Sequence, residues 1–116
     1  MLTAHHINAF LVIVVCAASS SVAFYAWRRG RAGAGVAQLL ALAQTLIVAQ
    51  VALGLLLLAD HRRAPDHLHY AYGTFALLAV LSPWLYAPSD PRARVLWFAI
   101  ATLIAAALGV RAYMTA

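Results

Sequence analysis

The sequence predicts an all-α fold: a single domain over residues 1–116, built as a four-transmembrane-helix bundle that runs up, down, up and down with both termini on the outer side. Three observations predict it. First, 66% of the residues are hydrophobic and 9% charged, where soluble domains carry about 25% charged residues. A chain of 116 residues encloses too little interior to hide that much apolar surface. Second, four apolar stretches follow one another, at about Ile7–Trp27, Val36–Ala59, Leu68–Tyr86 and Val95–Tyr113, each close to the ~20 residues that carry a helix across ~30 Å of hydrocarbon. Third, the stretches lack the alternation of a membrane barrel, which leaves the helix as the way to satisfy backbone groups in lipid.

The first stretch, about 7–27, ends in Trp27 and the cluster Arg28-Arg29-Gly30-Arg31. A secretory signal places its charge before the apolar run, so this stretch reads as a retained span with its N-terminus outside. Cys16 is the single cysteine; it has no internal disulfide partner and reads as packing. Ser19-Ser20-Ser21 is expected to bond back onto the helix or across to a neighbour. Gly30, Gly33 and Gly35 break the chain before the second stretch, about 36–59. That stretch carries Gln44 and Gln50, and polar groups inside a span face the bundle and hydrogen-bond another helix. Pro65 precedes the third stretch, about 68–86, and Asp66 is placed to cap it. Asp60 and Asp66 read as interfacial caps or partners of Arg62 and Arg63. Pro83, Pro88 and Pro91 end the third helix and turn the chain into the fourth, about 95–113, where Arg111 snorkels to the interface. The short connections make consecutive helices antiparallel neighbours. A weak repeat is visible: helices one and three each begin with histidines and end near a tryptophan and arginines, as two hairpins related about the membrane normal would.

Orientation follows from the arginines, which account for all eight cationic residues. The first and third loops hold Arg28, Arg29, Arg31, Arg92 and Arg94; the second loop and the C-terminus hold Arg62, Arg63 and Arg111. The positive-inside rule puts the richer pair of loops in the cytoplasm. Trp27, Trp84, Tyr86 and Trp97 then form an inner aromatic belt, and Tyr70, Tyr72 and Tyr113 an outer one. The net charge of +5 reads as orientation and headgroup contact, not nucleic-acid binding. The expected setting is a bacterial cytoplasmic membrane, with the lipid bilayer around the chain and a larger membrane complex or a second copy as its partner.

Five histidines concentrate in two places. His5 and His6 open helix one; His67 and His69 open helix three, with His61 in the loop before it. Helices one and three run in the same direction, so these residues lie at similar depth on the outer side, and in a four-helix bundle the two helices are diagonal. Two imidazoles facing each other across the bundle are the axial ligands a haem iron takes. His69 and Gly73 are four apart and share a helix face; Gly73 and Gly54 give a flat macrocycle clearance. The expected iron ligands are His6, with His5 as alternate, and His69, with His67 as alternate. Taken singly, a histidine at a membrane interface is a wet polar group and no more. Their joint placement points to a cofactor. Copper or zinc also suits imidazole, but the spacing carries no signature of either.

The residues also resemble a family. Ala4-His5-His6-Ile7-Asn8-Ala9-Phe10, leading into a span that ends Trp27-Arg28-Arg29, looks like the histidine-bearing helix of the heme A synthases. Gln50-Val51-Ala52-Leu53-Gly54 looks like the Gln-x-x-Leu-Gly stretch of that family's next helix, and His67-Leu68-His69 falls where the family places its second haem-facing histidine. The resemblance covers about Ala4 to Ala79 and implies one four-helix half of an eight-helix fold, with haem held between two histidines near the outer face. Two positions depart from the family pattern. Thr3 stands where the family has a glutamate and Ile7 where it has an arginine. That glutamate is tied to the oxidative chemistry, so the resemblance carries over the scaffold and a haem b site without haem O oxidation; no catalytic residue is expected. The leading expectation is a small cytochrome-like membrane protein for electron transfer or haem handling. Its rival is an accessory or assembly subunit of a larger respiratory complex, with no cofactor of its own.

Overall fold

The computed structural model describes residues 2–30, 34–61 and 67–115. The expected roles of Arg31, Gly33, Arg62, Arg63, Pro65 and Asp66 lie outside the described residues. Within them the regular structure is helical: α1 (Leu2–Arg29), α2 (Ala34–Ala59), α3 (Leu68–Leu81), a single turn α4 (Pro83–Tyr86) and α5 (Pro91–Met114). Three helices are long and apolar enough to cross a membrane, over Leu2–Arg29, Gly35–Ala59 and Pro91–Met114. The chain is a helical membrane protein. Its longest dimension, 47 Å, matches hydrocarbon plus headgroups at about 40–45 Å.

The helix ends follow from local chemistry. Gly30 takes φ 72° after α1 and its N–H returns to Trp27 O at 3.1 Å, the left-handed stop that glycine adopts without a Cβ clash. His61 performs the same closure after α2 with φ 61° and bonds Leu58 O at 3.1 Å. Histidine is among the few side chains enriched at positive φ. Asp90 caps α5 by accepting from Ala93 N at 3.0 Å, with Pro91 in the first turn, where its missing N–H costs nothing.

The third stretch differs from one continuous helix over 68–86. It is divided at Pro83 into α3, 14 residues, and α4, 4 residues. Proline has no N–H to give the carbonyl four residues back, which here is Ala79 O. Ser82 Oγ takes that carbonyl instead at 2.8 Å, and Ser82 itself keeps a helical φ and ψ. The chain therefore continues through a break rather than stopping. By itself α3 is only about 21 Å long at 1.5 Å per residue.

Packing is organised by residue size more than by polarity. Each long helix turns a strict seven-residue stripe inward. On α1 it is His5, Ala9, Val12, Cys16, Ser19, Ala23 and Ala26. On α2 it is Val36, Leu40, Ala43, Ile47, Gln50, Gly54 and Leu57. On α3 and α4 it is His69, Gly73, Ala76, Val80 and Pro83. On α5 it is Phe98, Thr102, Ala105, Gly109 and Ala112. All of these are buried or half-buried. Large side chains such as Phe10, Leu55, Phe75 and Leu85 are exposed, as expected where lipid is the solvent and small residues let helices approach. Helix α1 lies between α2 and α5, and α5 lies between α1 and α3; α2 and α3 pack more lightly. Interhelical bonds reinforce these contacts. Ser20 Oγ donates to Ala99 O at 2.8 Å, Ser19 Oγ to Leu39 O at 3.1 Å, and Trp84 Nε1 to Gln44 Oε1 at 3.0 Å. Ser21 bonds back to Ala17 O at 2.8 Å. Ser19, Ser20 and Gln44 thus face the bundle, while exposed Ser21 is satisfied by its own helix, as the cost of unpaired polar groups in lipid requires.

Candidate functional site

At one end of the bundle the four stripes stop closing tightly. A cavity of about 60 Å³ opens there, bounded by Ala9, Val12, Gln50, Gly73, Gly109 and Ala112 among others, with His5 and His69 in its walls. The half-buried members of the stripes on α1, α3 and α5 all border it. Small residues from three helices leave the space.

His5 and His69 meet across this cavity. Their ring centres are 6.1 Å apart with planes at 72°. His5 is 8% exposed, set on the inward stripe of α1 by its seven-residue spacing to Val12. His6, one residue on, is rotated away and exposed, although it borders the cavity rim. His67 occupies the cap position of α3, makes no side-chain cap bond and is exposed; His61 is exposed in the turn after α2. Of the expected pairs the structure brings together His5 and His69. His6 was expected to lead at the first position; the helix register turns His5 inward and leaves His6 exposed.

Each ring is held by the helix packed beside it. His69 Nδ1 lies 2.7 Å from Ala112 O on α5. A carbonyl only accepts, so Nδ1 carries the proton and Nε2 keeps its lone pair, the arrangement that prepares an imidazole to bind a metal. His5 Nε2 lies 3.3 Å from Gln50 Nε2 on α2. Gln50 Oε1 in turn accepts from Asn8 Nδ2 at 3.0 Å, and Asn8 Nδ2 also donates to Leu46 O at 3.0 Å. His5 Nδ1 is buried with no hydrogen-bond partner among the described residues. An unpaired buried polar atom costs on the order of 1–3 kcal/mol and marks a place where a partner is wanted. A Cβ at Gly54 would lie 3.3 Å from His5 Cε1, whereas one at Gly73 would meet nothing within 4 Å. Asn8 was not foreseen as a site residue. Its signal was its place three residues after His5, on the same helix face.

Among the described residues no group of three or more His, Cys, Asp or Glu side chains is arranged to hold a metal ion. A protein zinc site draws three or four ligands from the chain; a haem iron needs only one or two, because the macrocycle fills the rest. His5 and His69 are two facing imidazoles. The free volume is smaller than a macrocycle.

No family model, no curated protein and no solved structure matches the chain.

At the opposite end of the bundle, guanidinium groups stack on aromatic rings: Arg92 on Trp27, Arg94 on Trp84 and Phe98, and Arg29 on Tyr25. Arg92 Nε also donates to Trp27 O at 3.1 Å, at the electronegative end of α1. Among the described residues, Arg111 over Tyr72 repeats this pairing near the histidines.

Proposed function

We propose that the chain is a four-span, up-down-up-down membrane protein with both termini on the outer side, holding a b-type haem near the outer face between His5 and His69. In this reading α3 and α4 together supply the fourth crossing. The observation that carries it is the His5–His69 pair: 6.1 Å between ring centres, in a cavity walled by small residues, with His69 fixed by Ala112 O at 2.7 Å. A haem held there supplies one-electron exchange at a potential set by its ligands and their hydrogen bonds. The chain's own residues orient the two imidazoles, keep the cavity dry on its Ile47, Val12 and Ala76 side, and leave space at Gly54 and Gly73. The reading takes from the resemblance to heme A synthases the plan of one half of that fold. Thr3 in place of the family's glutamate favours electron transfer or haem handling over oxidation of haem O. The Arg-rich end would face the cytoplasm of a bacterial cell.

The test is a reduced-minus-oxidised visible spectrum of the protein, purified in detergent from cells supplied with haem precursor. A b-type spectrum is the expected result. A well-folded, colourless protein that co-purifies with larger membrane proteins would contradict it and favour the accessory-subunit reading.

A further inference from the structure

Exposed arginines gather at the last turn of α1: Arg28 and Arg29 from that turn, and Arg92 from the first turn of α5. Arg92 reaches across to α1. Its Cζ lies 5.5 Å from the centre of the half-buried Trp27 ring, and its Nε donates to Trp27 O at 3.1 Å. One face and the Nε edge of the guanidinium are therefore committed to the protein. Its two Nη nitrogens make no hydrogen bond among the described residues, and Arg92 is exposed. The open edge is a pair of parallel N–H donors, the shape that matches two oxygens of a phosphate. Arg94 differs. It is half-buried, with Cζ 5.6 Å from the Trp84 ring and 5.3 Å from the Phe98 ring, and its Nη1 reaches Ala87 O at 3.5 Å. That arginine ties α5 to α4.

The positive charge at this turn has little to balance it from within. Asp90, the described carboxylate at this end, caps α5 through Ala93 N. The C-terminal dipole of α1 offsets only about half of one charge. Tryptophan and tyrosine at a helix end sit at headgroup depth, so Arg92 on Trp27 is held where lipid phosphates lie. Farther along the same two helices Val22, Trp97 and Ile100 are exposed, apolar surface that an acyl chain covers and a free anion does not use.

We propose that Arg92, set on Trp27, is the seat of one anionic phospholipid. Its phosphodiester takes the open guanidinium edge, and Arg28 and Arg29 add attraction from α1. The seat lies at the opposite end of the bundle from His5 and His69, and it works with or without a cofactor there.

Native mass spectrometry of the full chain in detergent tests this by counting bound lipids. Phosphatidylglycerol is titrated against phosphatidylcholine, which has a phosphodiester but no net charge. Wild type is expected to retain one phosphatidylglycerol in preference to phosphatidylcholine. Arg92→Lys keeps the charge and loses the fork, so it is expected to bind phosphatidylglycerol at least about 10-fold more weakly, the worth of one charge-assisted hydrogen bond. Trp27→Leu keeps Arg92 and removes its platform, with an expected weakening of about 2–5-fold; it decides should Arg92→Lys fail to fold. Arg111→Lys, at the far end, is expected to bind as wild type does. Equal affinity in wild type and Arg92→Lys would mean that charge alone holds the lipid and would overturn the seat. Equal retention of the two lipids by wild type would overturn it as well. Displacement of phosphatidylglycerol by millimolar inorganic phosphate would mark a site for a free anion and overturn the lipid assignment.

Discussion

Gly54 carries the most local of the expectations. Its missing Cβ leaves 3.3 Å to His5 Cε1, so a branched side chain there must push the imidazole off the stripe of α1. Gly54→Val is expected to keep the helical far-UV signal but lower haem content per protein at least several-fold, and to cost about 1–3 kcal/mol of stability through overpacking. Gly109→Ala is the control: its Cβ would sit 3.7 Å from Ile13 and 3.9 Å from Val12, ordinary contact, so haem content should not change. Similar loss in both variants would mean the end of the bundle is generally intolerant and Gly54 has no special relation to His5. At this scale the sequence was partly legible. His69 and Gly73, four apart, do border the cavity, and Gly54 lies against His5. His6 was put before His5 because neighbouring histidines differ only in helix phase, and phase was not read; the structure buries His5 and exposes His6. The phase was present: His5, Val12, Cys16, Ser19, Ala23 and Ala26 keep one seven-residue register, and His6 is outside it.

Why that register was hard to see belongs to the helices. Hydropathy contrast marks the buried face of a helix in water; in lipid both faces are apolar, so the contrast vanishes. What remains is size, with alanine, serine, glycine, cysteine and threonine inward and phenylalanine and leucine outward. On α5 this predicts that Ala105→Leu, at a position with 0% exposure, destabilises the protein by about 1–3 kcal/mol. The same change at Ala107, which is exposed, should be within about 0.5 kcal/mol of wild type. Unfolding in detergent by thermal or denaturant titration measures both, and equal effects would refute the packing assigned to α5. The division of the third stretch had a readable cause in Pro83, but its outcome did not. A proline can end a helix or merely break it, and here Ser82 Oγ on Ala79 O lets the chain continue. Ser82→Ala is expected to cost about 0.5–1.5 kcal/mol in the same titration, because it leaves Ala79 O only the longer bond from Ser82 N at 3.3 Å; no change would show that this bond suffices. The Asp90-Pro91 start of α5 was legible as well, since an Asx cap followed by proline is a standard helix opening.

For the whole molecule, composition settled the broad class: 9% charge in 116 residues leaves few alternatives to a membrane. Orientation rests on the arginine ends. With the native Cys16 buried and replaced by alanine, a cysteine introduced at Ser89, beside the Arg92 and Arg94 end, should react with a membrane-impermeant maleimide only after the cells are opened. A cysteine at His61 should react in intact cells. The reverse pattern would invert the topology and move the His5–His69 cavity to the cytoplasmic side.

The central claim, that His5 and His69 together hold a haem, is tested most directly by reduced-minus-oxidised spectra of wild type, His5→Ala, His6→Ala and His69→Ala prepared side by side. A b-type spectrum is predicted in wild type and in His6→Ala, loss of most bound haem in His69→Ala, and a changed spectrum with a weakened second ligand in His5→Ala. A spectrum that survives His69→Ala unchanged, or depends on His6 rather than His5, would contradict the account.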